Sequence, residues 1–143
     1  VRIAFAADDE NETTRAVVAQ LERGGHEVVP VTTATDWPSV GRAVGLAVAD
    51  AEVDLGVVMC WTGTGTAIAA NKVPGVRAAL AWDPWIARGA RLWNDANVLA
   101  LSLKRLAPDV AAEVVQAFLD TPEPDPDEAT NISALTAAEN GKS

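Results

Sequence analysis

Cys60-Trp61-Thr62-Gly63-Thr64-Gly65-Thr66-Ala67-Ile68-Ala69-Ala70-Asn71-Lys72 follows directly on the apolar run Leu55-Gly56-Val57-Val58-Met59. A β-branched run that breaks into glycines and then takes up helical spacing reads as strand, turn and helix. Gly63 and Gly65 permit a tight turn, and the N–H groups that open the next helix point outward at a ligand oxygen bearing negative charge. In an open parallel sheet such a turn lies beyond the carboxyl ends of the strands, where ligands bind. A dinucleotide fingerprint would place G-x-G-x-x-G after the first strand. Here Gly63-Thr64-Gly65-Thr66-Ala67-Ile68 follows the third strand and ends in isoleucine, which argues against a nicotinamide site.

Outward from this turn, short apolar runs alternate with longer segments of helical period, as βαβ units do. Strands are expected at residues 2–6, 26–31, 55–60, 77–81 and 98–101. Helices are expected at 11–23, stopped by Gly24-Gly25, and at 38–51, 65–71, from Asp83-Pro84 onward, and 107–120. The fold class is therefore α/β: a Rossmann-like, doubly wound five-stranded parallel sheet forming one domain over residues 1–120. The stretch Thr121-Pro122-Glu123-Pro124-Asp125-Pro126 then begins an acidic, proline-rich C-terminal arm over 121–143, with a last helix expected at 127–138. Arms of this kind often reach a neighbouring subunit.

The 143 residues carry a net charge of −9, which argues against nucleic acid or an anionic membrane surface as partner. The arm is itself acidic, with five carboxylates against Lys142. One cysteine makes no internal disulfide, and the first residues show no basic segment leading into a long apolar one. A soluble, cytoplasmic protein is expected. With one Cys and one His, no ligand cluster of recognised spacing exists, so no metal or cofactor is expected. Cys60 itself reads either as a small buried hydrophobe at a strand end or, beside a helix N-terminus that favours thiolate, as a base or nucleophile.

The whole stretch from Cys60 to Ala79, through Ile68-Ala69-Ala70-Asn71-Lys72 and Gly75-Val76-Arg77-Ala78-Ala79, resembles the signature of type B ribose-5-phosphate isomerases and bacterial galactose-6-phosphate isomerases. Asp83, Ala87-Arg88, Arg91 and Asn94-Asp95-Ala96-Asn97-Val98-Leu99-Ala100 match the family's next block in order and spacing, and the resemblance runs from about Arg2 to Leu119. It implies an isomerase that interconverts aldose and ketose through a cis-enediolate. Cys60 would be the base, Thr62 would help move the proton on the substrate oxygens, and amides around Gly63, Thr64 and Gly65 would form the oxyanion hole. Asp8 and Asn94 match positions that hold sugar hydroxyls. A homodimer with its active sites at the interface is implied as well. Each of these residues also has a structural reading: Asp8 as a helix cap, Asn94 as a C-cap, the threonines and glycines as turn residues.

Three departures bear on the substrate. The family's ring-opening histidine, just before the Asn-Asp-Ala-Asn run, is replaced by Trp93. Its phosphate-holding histidine after the first strand is replaced by Asp9, a carboxylate that would repel phosphate. Two arginines of its arm fall near Asp127 and near Thr130 or Asn131, leaving Lys104 as the cation near the remaining phosphate position. His26, the one histidine, reads as structural. Trp61, Trp82, Trp85 and Trp93 cluster between the turn and the Asn-Asp-Ala-Asn run. Trp61 and Trp93 read as pocket walls, Trp82 and Trp85 as core or dimer packing. Arg88 and Arg91, three apart, are expected on one helix face, as a solvated or interface pair or as an anion-binding pair. The leading reading is an isomerase or epimerase acting on an atypical, unphosphorylated or linear sugar or polyol. A noncatalytic sugar-binding or regulatory protein on the same fold is the alternative, and a cysteine hydrolase a third.

Overall fold

The computed structural model describes residues 1–141; Lys142 and Ser143, the end of the expected arm, lie outside the described residues. Five strands, β1 (Arg2–Ala7), β2 (Glu27–Val29), β3 (Leu55–Cys60), β4 (Ala78–Leu80) and β5 (Val98–Ser102), form one all-parallel sheet in the order β2-β1-β3-β5-β4. The helices between them are α1 (Glu12–Arg23), α2 (Trp37–Ala49), α3 (Thr64–Asn71) and α4 (Pro84–Asn94). After β5 come α5 (Pro108–Leu119), a 3-10 turn at Pro126–Glu128 and α6 (Ala129–Gly141). The doubly wound α/β fold read from the sequence is the fold observed.

Local chemistry explains the starts. Asn11 caps α1 by accepting from Thr14 N at 3.0 Å while Thr14 Oγ1 accepts from Asn11 N at 2.9 Å, a reciprocal capping box. Asp36 and Asp83 cap α2 and α4, each accepting at 2.8 Å from the amide three residues on, with proline in the first turn. Two strands are shorter than their apolar runs. β2 stops at Val29 because Pro30 brings no N–H to the ladder. β4 starts at Ala78 because Arg77 N donates to Asn97 Oδ1 at 2.7 Å, and the Asn71 side chain pairs with both the N–H and the carbonyl of Ala78.

β1, β3 and β5 are buried on both faces, which is why β3 reads as continuous apolar sequence rather than alternating. One core lies between the sheet and α1, α4 and α5, around Ile3, Leu21, Met59, Leu101 and Phe118. The other lies under α2 and α3, around Val40, Val44, Val58 and Ala70. The chain leaves β1 for β2 on one side and returns to β3 on the other. The switch point therefore falls between β1 and β3, and the carboxyl ends of those two strands frame the crevice where such folds bind ligands. No helix among the described residues is long and apolar enough to cross a membrane.

The arm is fastened at its start by Arg91, which is only 5% exposed. Its guanidinium donates to Thr121 O at 2.9 Å, Pro122 O at 2.5 Å, Ala96 O at 2.6 Å and Asp95 Oδ1 at 3.0 Å, and stacks 5.7 Å from the Phe118 ring centroid. The expectation that Arg88 and Arg91 share a face is thus corrected. Arg88 is exposed, whereas Arg91 lies under the returning chain, because three residues fall about 60° short of a full turn. Farther on, α6 has no buried residue, and Glu139 accepts from Gly75 N at 3.0 and 3.2 Å.

Candidate active site

Cys60 ends β3, is 4% exposed, and is the register neighbour of Ser102 on β5. Ala7 pairs with Met59, and Asp8 N donates to Met59 O at 3.2 Å, so Asp8 stands beside Cys60 across the switch point. After Trp61 and Thr62 the chain turns through Gly63 in the left-handed region, at φ 81°. A Cβ there would lie 2.6 Å from Leu80 Cδ1 and 2.9 Å from the Leu101 carbonyl carbon, so only glycine fits. The turn brings Gly63 N back to donate to Cys60 Sγ at 3.2 Å. It also brings the buried hydroxyl of Thr66 to 3.4 Å from the same sulfur.

The Thr62 and Thr64 hydroxyls are exposed and 2.7 Å apart, and Thr64 N donates to Thr62 Oγ1 at 3.3 Å. Of the three amides expected to form an oxyanion hole, Gly63's faces the sulfur and Thr64's faces Thr62. Gly65's has no acceptor among the described residues, as the first turn of a helix leaves it. The Trp37 ring packs on Gly65, its edge 2.9 Å from where a Cβ would stand, and forms one wall of the turn. Trp61 is 58% exposed, with the Lys104 ammonium 4.6 Å from its ring centroid and Ser102 Oγ donating to its carbonyl at 2.6 Å.

Asp8 does not cap α1; Asn11 does. Its Oδ1 is buried without a hydrogen-bond partner among the described residues, and its pKa is raised, first by burial and second by the neighbouring Asp9 charge. Asp9 is exposed and, among the described residues, bonds only the Glu10 amide, at 2.8 Å, while Glu10 pairs with Arg15 at 2.9 Å. A raised carboxylate pKa means that stability present below the unfolded value is lost as pH rises through the folded one. Asp8→Asn is therefore expected to melt at or above the wild-type temperature at neutral pH. The gap should close as pH falls into the carboxylate range, while turnover falls; thermal denaturation across pH checks this.

The remaining residues expected at the site are elsewhere in the chain. α4 runs from the carboxyl edge of the sheet back to its amino edge, so Trp93 and Asn94 stand at the opposite end from Cys60. Asn94 is the last residue of α4 and not its cap; the left-handed capping position is Asp95, at φ 47°. Asp95 bridges Arg77 at 3.3 Å and Arg91 at 3.0 Å, and Asn97 clamps Arg77 N and Gly75 O, so much of the block over residues 94–100 is scaffold. Trp93 leans over Gly89 to meet Trp85 edge to face, with centroids 5.4 Å apart. Trp82 and Trp85 are not core, being 61% and 66% exposed. Arg88 makes no ion pair among the described residues, and His26, next to the N-terminal amine at 3.2 Å, lies at the amino edge of the sheet. Trp37 and Thr66 were not singled out from the sequence.

A cavity of about 640 Å3 opens beside Asp8, Asp9, Arg15 and Thr32, but Cys60 does not line it. A second, of about 450 Å3, lies between Trp93 and Asn94 and the arm at Glu128, Asn131 and Leu135. Neither contains the cysteine turn, which faces outward from the single chain.

The pattern of the Ribose/Galactose Isomerase family matches residues 3–135. Ribose-5-phosphate isomerase B of Escherichia coli (strain K12) is 36% identical over 143 residues, covering 96% of each chain. A D-erythrulose-4-phosphate isomerase of Pectobacterium atrosepticum is 39% identical over 84 residues, 59% of this chain and 55% of that one. Among solved structures, Clostridium thermocellum ribose-5-phosphate isomerase B superposes over all of both chains with a TM-score of 0.92 at 34% identity. The Trypanosoma brucei type B enzyme gives 0.85 at 32% identity, over 96% of this chain and 97% of the other. The strand β3 with its cysteine turn, the scaffold of Asn71, Arg77, Asp95 and Asn97, and these likenesses agree: the chain belongs to the Ribose/Galactose Isomerase family and is an isomerase.

Proposed function

We propose that the enzyme interconverts an aldose and a ketose through a cis-enediolate, with Cys60 as the base that moves a proton between C1 and C2. The observation that carries this reading is the setting of the sulfur: at a strand end on the switch point, 3.2 Å from Gly63 N, with Asp8 beside it. The Thr62 and Thr64 hydroxyls shuttle the proton between the two substrate oxygens. Gly65 N–H, at the helix start, holds the developing oxyanion. Asp8 takes a sugar hydroxyl on its unpartnered Oδ1, and the faces of Trp61 and Trp37 pack on C–H groups. Proton transfer of this kind calls for no cofactor.

Specificity is shifted away from ordinary sugar phosphates. Asp9 puts a second negative charge beside Asp8, and residues 126–141 of the arm carry no lysine or arginine. Lys104, Arg105 and Arg88 remain as the cations that could meet an anionic group. A linear sugar needs no ring-opening histidine, which fits Trp93 in that place. D-Erythrulose 4-phosphate, named for one relative, is itself too short to close a ring through its blocked terminal oxygen.

The site is completed by a second copy of the chain, in a homodimer. Asn94 and Trp93 are at the wrong end of their own sheet to meet Cys60, and a neighbouring chain can present them across an interface rich in exposed Trp61, Ile68, Trp82 and Trp85. Mixing Cys60→Ala with Asn94→Ala, after unfolding and refolding the two together, is expected to restore turnover that neither variant has alone. Absence of complementation from a mixture that forms mixed dimers would mean that no site combines Cys60 of one chain with Asn94 of the other.

A further inference from the structure

Thr66 is 0% exposed, so it does not meet solvent or a substrate, yet its hydroxyl is spent on the one thiol of the chain. Its Oγ1 stands 3.4 Å from Cys60 Sγ and 3.3 Å from Gly63 O. Gly63 O already accepts from Ala67 N at 3.1 Å, so the fold does not need the hydroxyl there. Gly63 N meets the sulfur from another side at 3.2 Å. The sulfur therefore has two donors aimed at it, one fixed and one that can rotate.

We infer that Thr66 is a positioning residue for the cysteine base, its hydroxyl turning with the protonation state of the sulfur. With the thiol neutral, S–H donates to Thr66 Oγ1 and the Thr66 hydroxyl donates onward to Gly63 O. With the thiol ionised, the Thr66 hydroxyl swings to donate to sulfur, beside the Gly63 amide, and Gly63 O keeps its bond from Ala67. Each proton that sulfur takes from a sugar carbon or returns to one is matched by a rotation of one hydroxyl, with no net transfer to Thr66. A hydrogen bond to a charged acceptor is stronger than one to a neutral one, so the hydroxyl favours thiolate.

The inference rests on Cys60 being the base, and its test separates the two. Thr66→Val keeps the buried volume and removes the hydroxyl; Thr66→Ser returns it. The chain has one cysteine and no tyrosine, so the absorbance step of thiolate on raising pH reports Cys60 alone. In Thr66→Val that step is expected to move to higher pH, and in Thr66→Ser to return towards wild type. With the sugar that wild type exchanges fastest, among D-ribose 5-phosphate, D-erythrulose 4-phosphate, D-galactose 6-phosphate and their unphosphorylated forms, kcat of Thr66→Val should fall about 10- to 100-fold with KM held, the worth of one hydrogen bond to a charge. A folded Thr66→Val with the wild-type absorbance step overturns the inference even where Cys60→Ala abolishes turnover. Turnover that survives Cys60→Ala overturns the base assignment instead, and the absorbance step still reports on Thr66.

Discussion

Cys60→Ala is expected to slow solvent-deuterium incorporation into the substrate by about 10²- to 10⁴-fold, the range for loss of one positioned general base. The neighbouring carboxylate is the rival base. Asp8, however, presents an unpartnered Oδ1 that is a buried atom, better suited to receiving a hydroxyl than to meeting a carbon-bound proton. Removing the sulfur also takes the acceptor from Gly63 N–H, an unpaired donor costing about 1–3 kcal/mol. Cys60→Ser is the control: it supplies an oxygen to that amide but no readily ionised thiol. Equal losses in both variants assign the effect to the base. Recovery in the serine variant would assign it to the shape of the turn.

Arg91→Ala is expected to destabilise the fold by about 3–5 kcal/mol, as does breaking a buried charge network by removing one member. Four acceptors from two stretches of the chain converge on one guanidinium, and two of them, the carbonyls of Thr121 and Pro122, begin the arm. Without it these oxygens lose their donor, and the arm loses the anchor that sets its direction towards α4. Arg91→Lys should recover little, because one ammonium cannot span the fork of donors. Chemical denaturation measures both variants; a loss under about 1 kcal/mol for Arg91→Ala would mean that water replaces the side chain at these carbonyls.

The sheet was legible because its central strands are continuous apolar runs and its helices carry explicit caps at Asn11, Asp36 and Asp83. The cysteine turn was legible because glycine at 63 has no substitute in that conformation. Contacts that depend on how helices meet were not. Trp37 reaches Gly65 only because α2 packs on α3. Thr66 returns to Cys60 only because the left-handed Gly63 doubles the chain back; a hydroxyl in the first turn after such a glycine is the signal that could have found it. Periodicity put Arg88 and Arg91 together, but the arm that buries Arg91 comes from 30 residues farther along. Trp93 and Asn94 follow the site in order along the sequence, and order does not say which end of a parallel sheet a helix terminus occupies.

Solvent-deuterium incorporation, followed by NMR for the wild-type enzyme on the three sugar phosphates and their unphosphorylated forms, tests the central claim most directly. The account predicts exchange at the carbon next to the carbonyl, lost in Cys60→Ala, and faster with an unphosphorylated or linear sugar than with D-ribose 5-phosphate. Fastest exchange into D-ribose 5-phosphate would contradict the shifted specificity, and exchange into none of the six would contradict enediolate chemistry at Cys60.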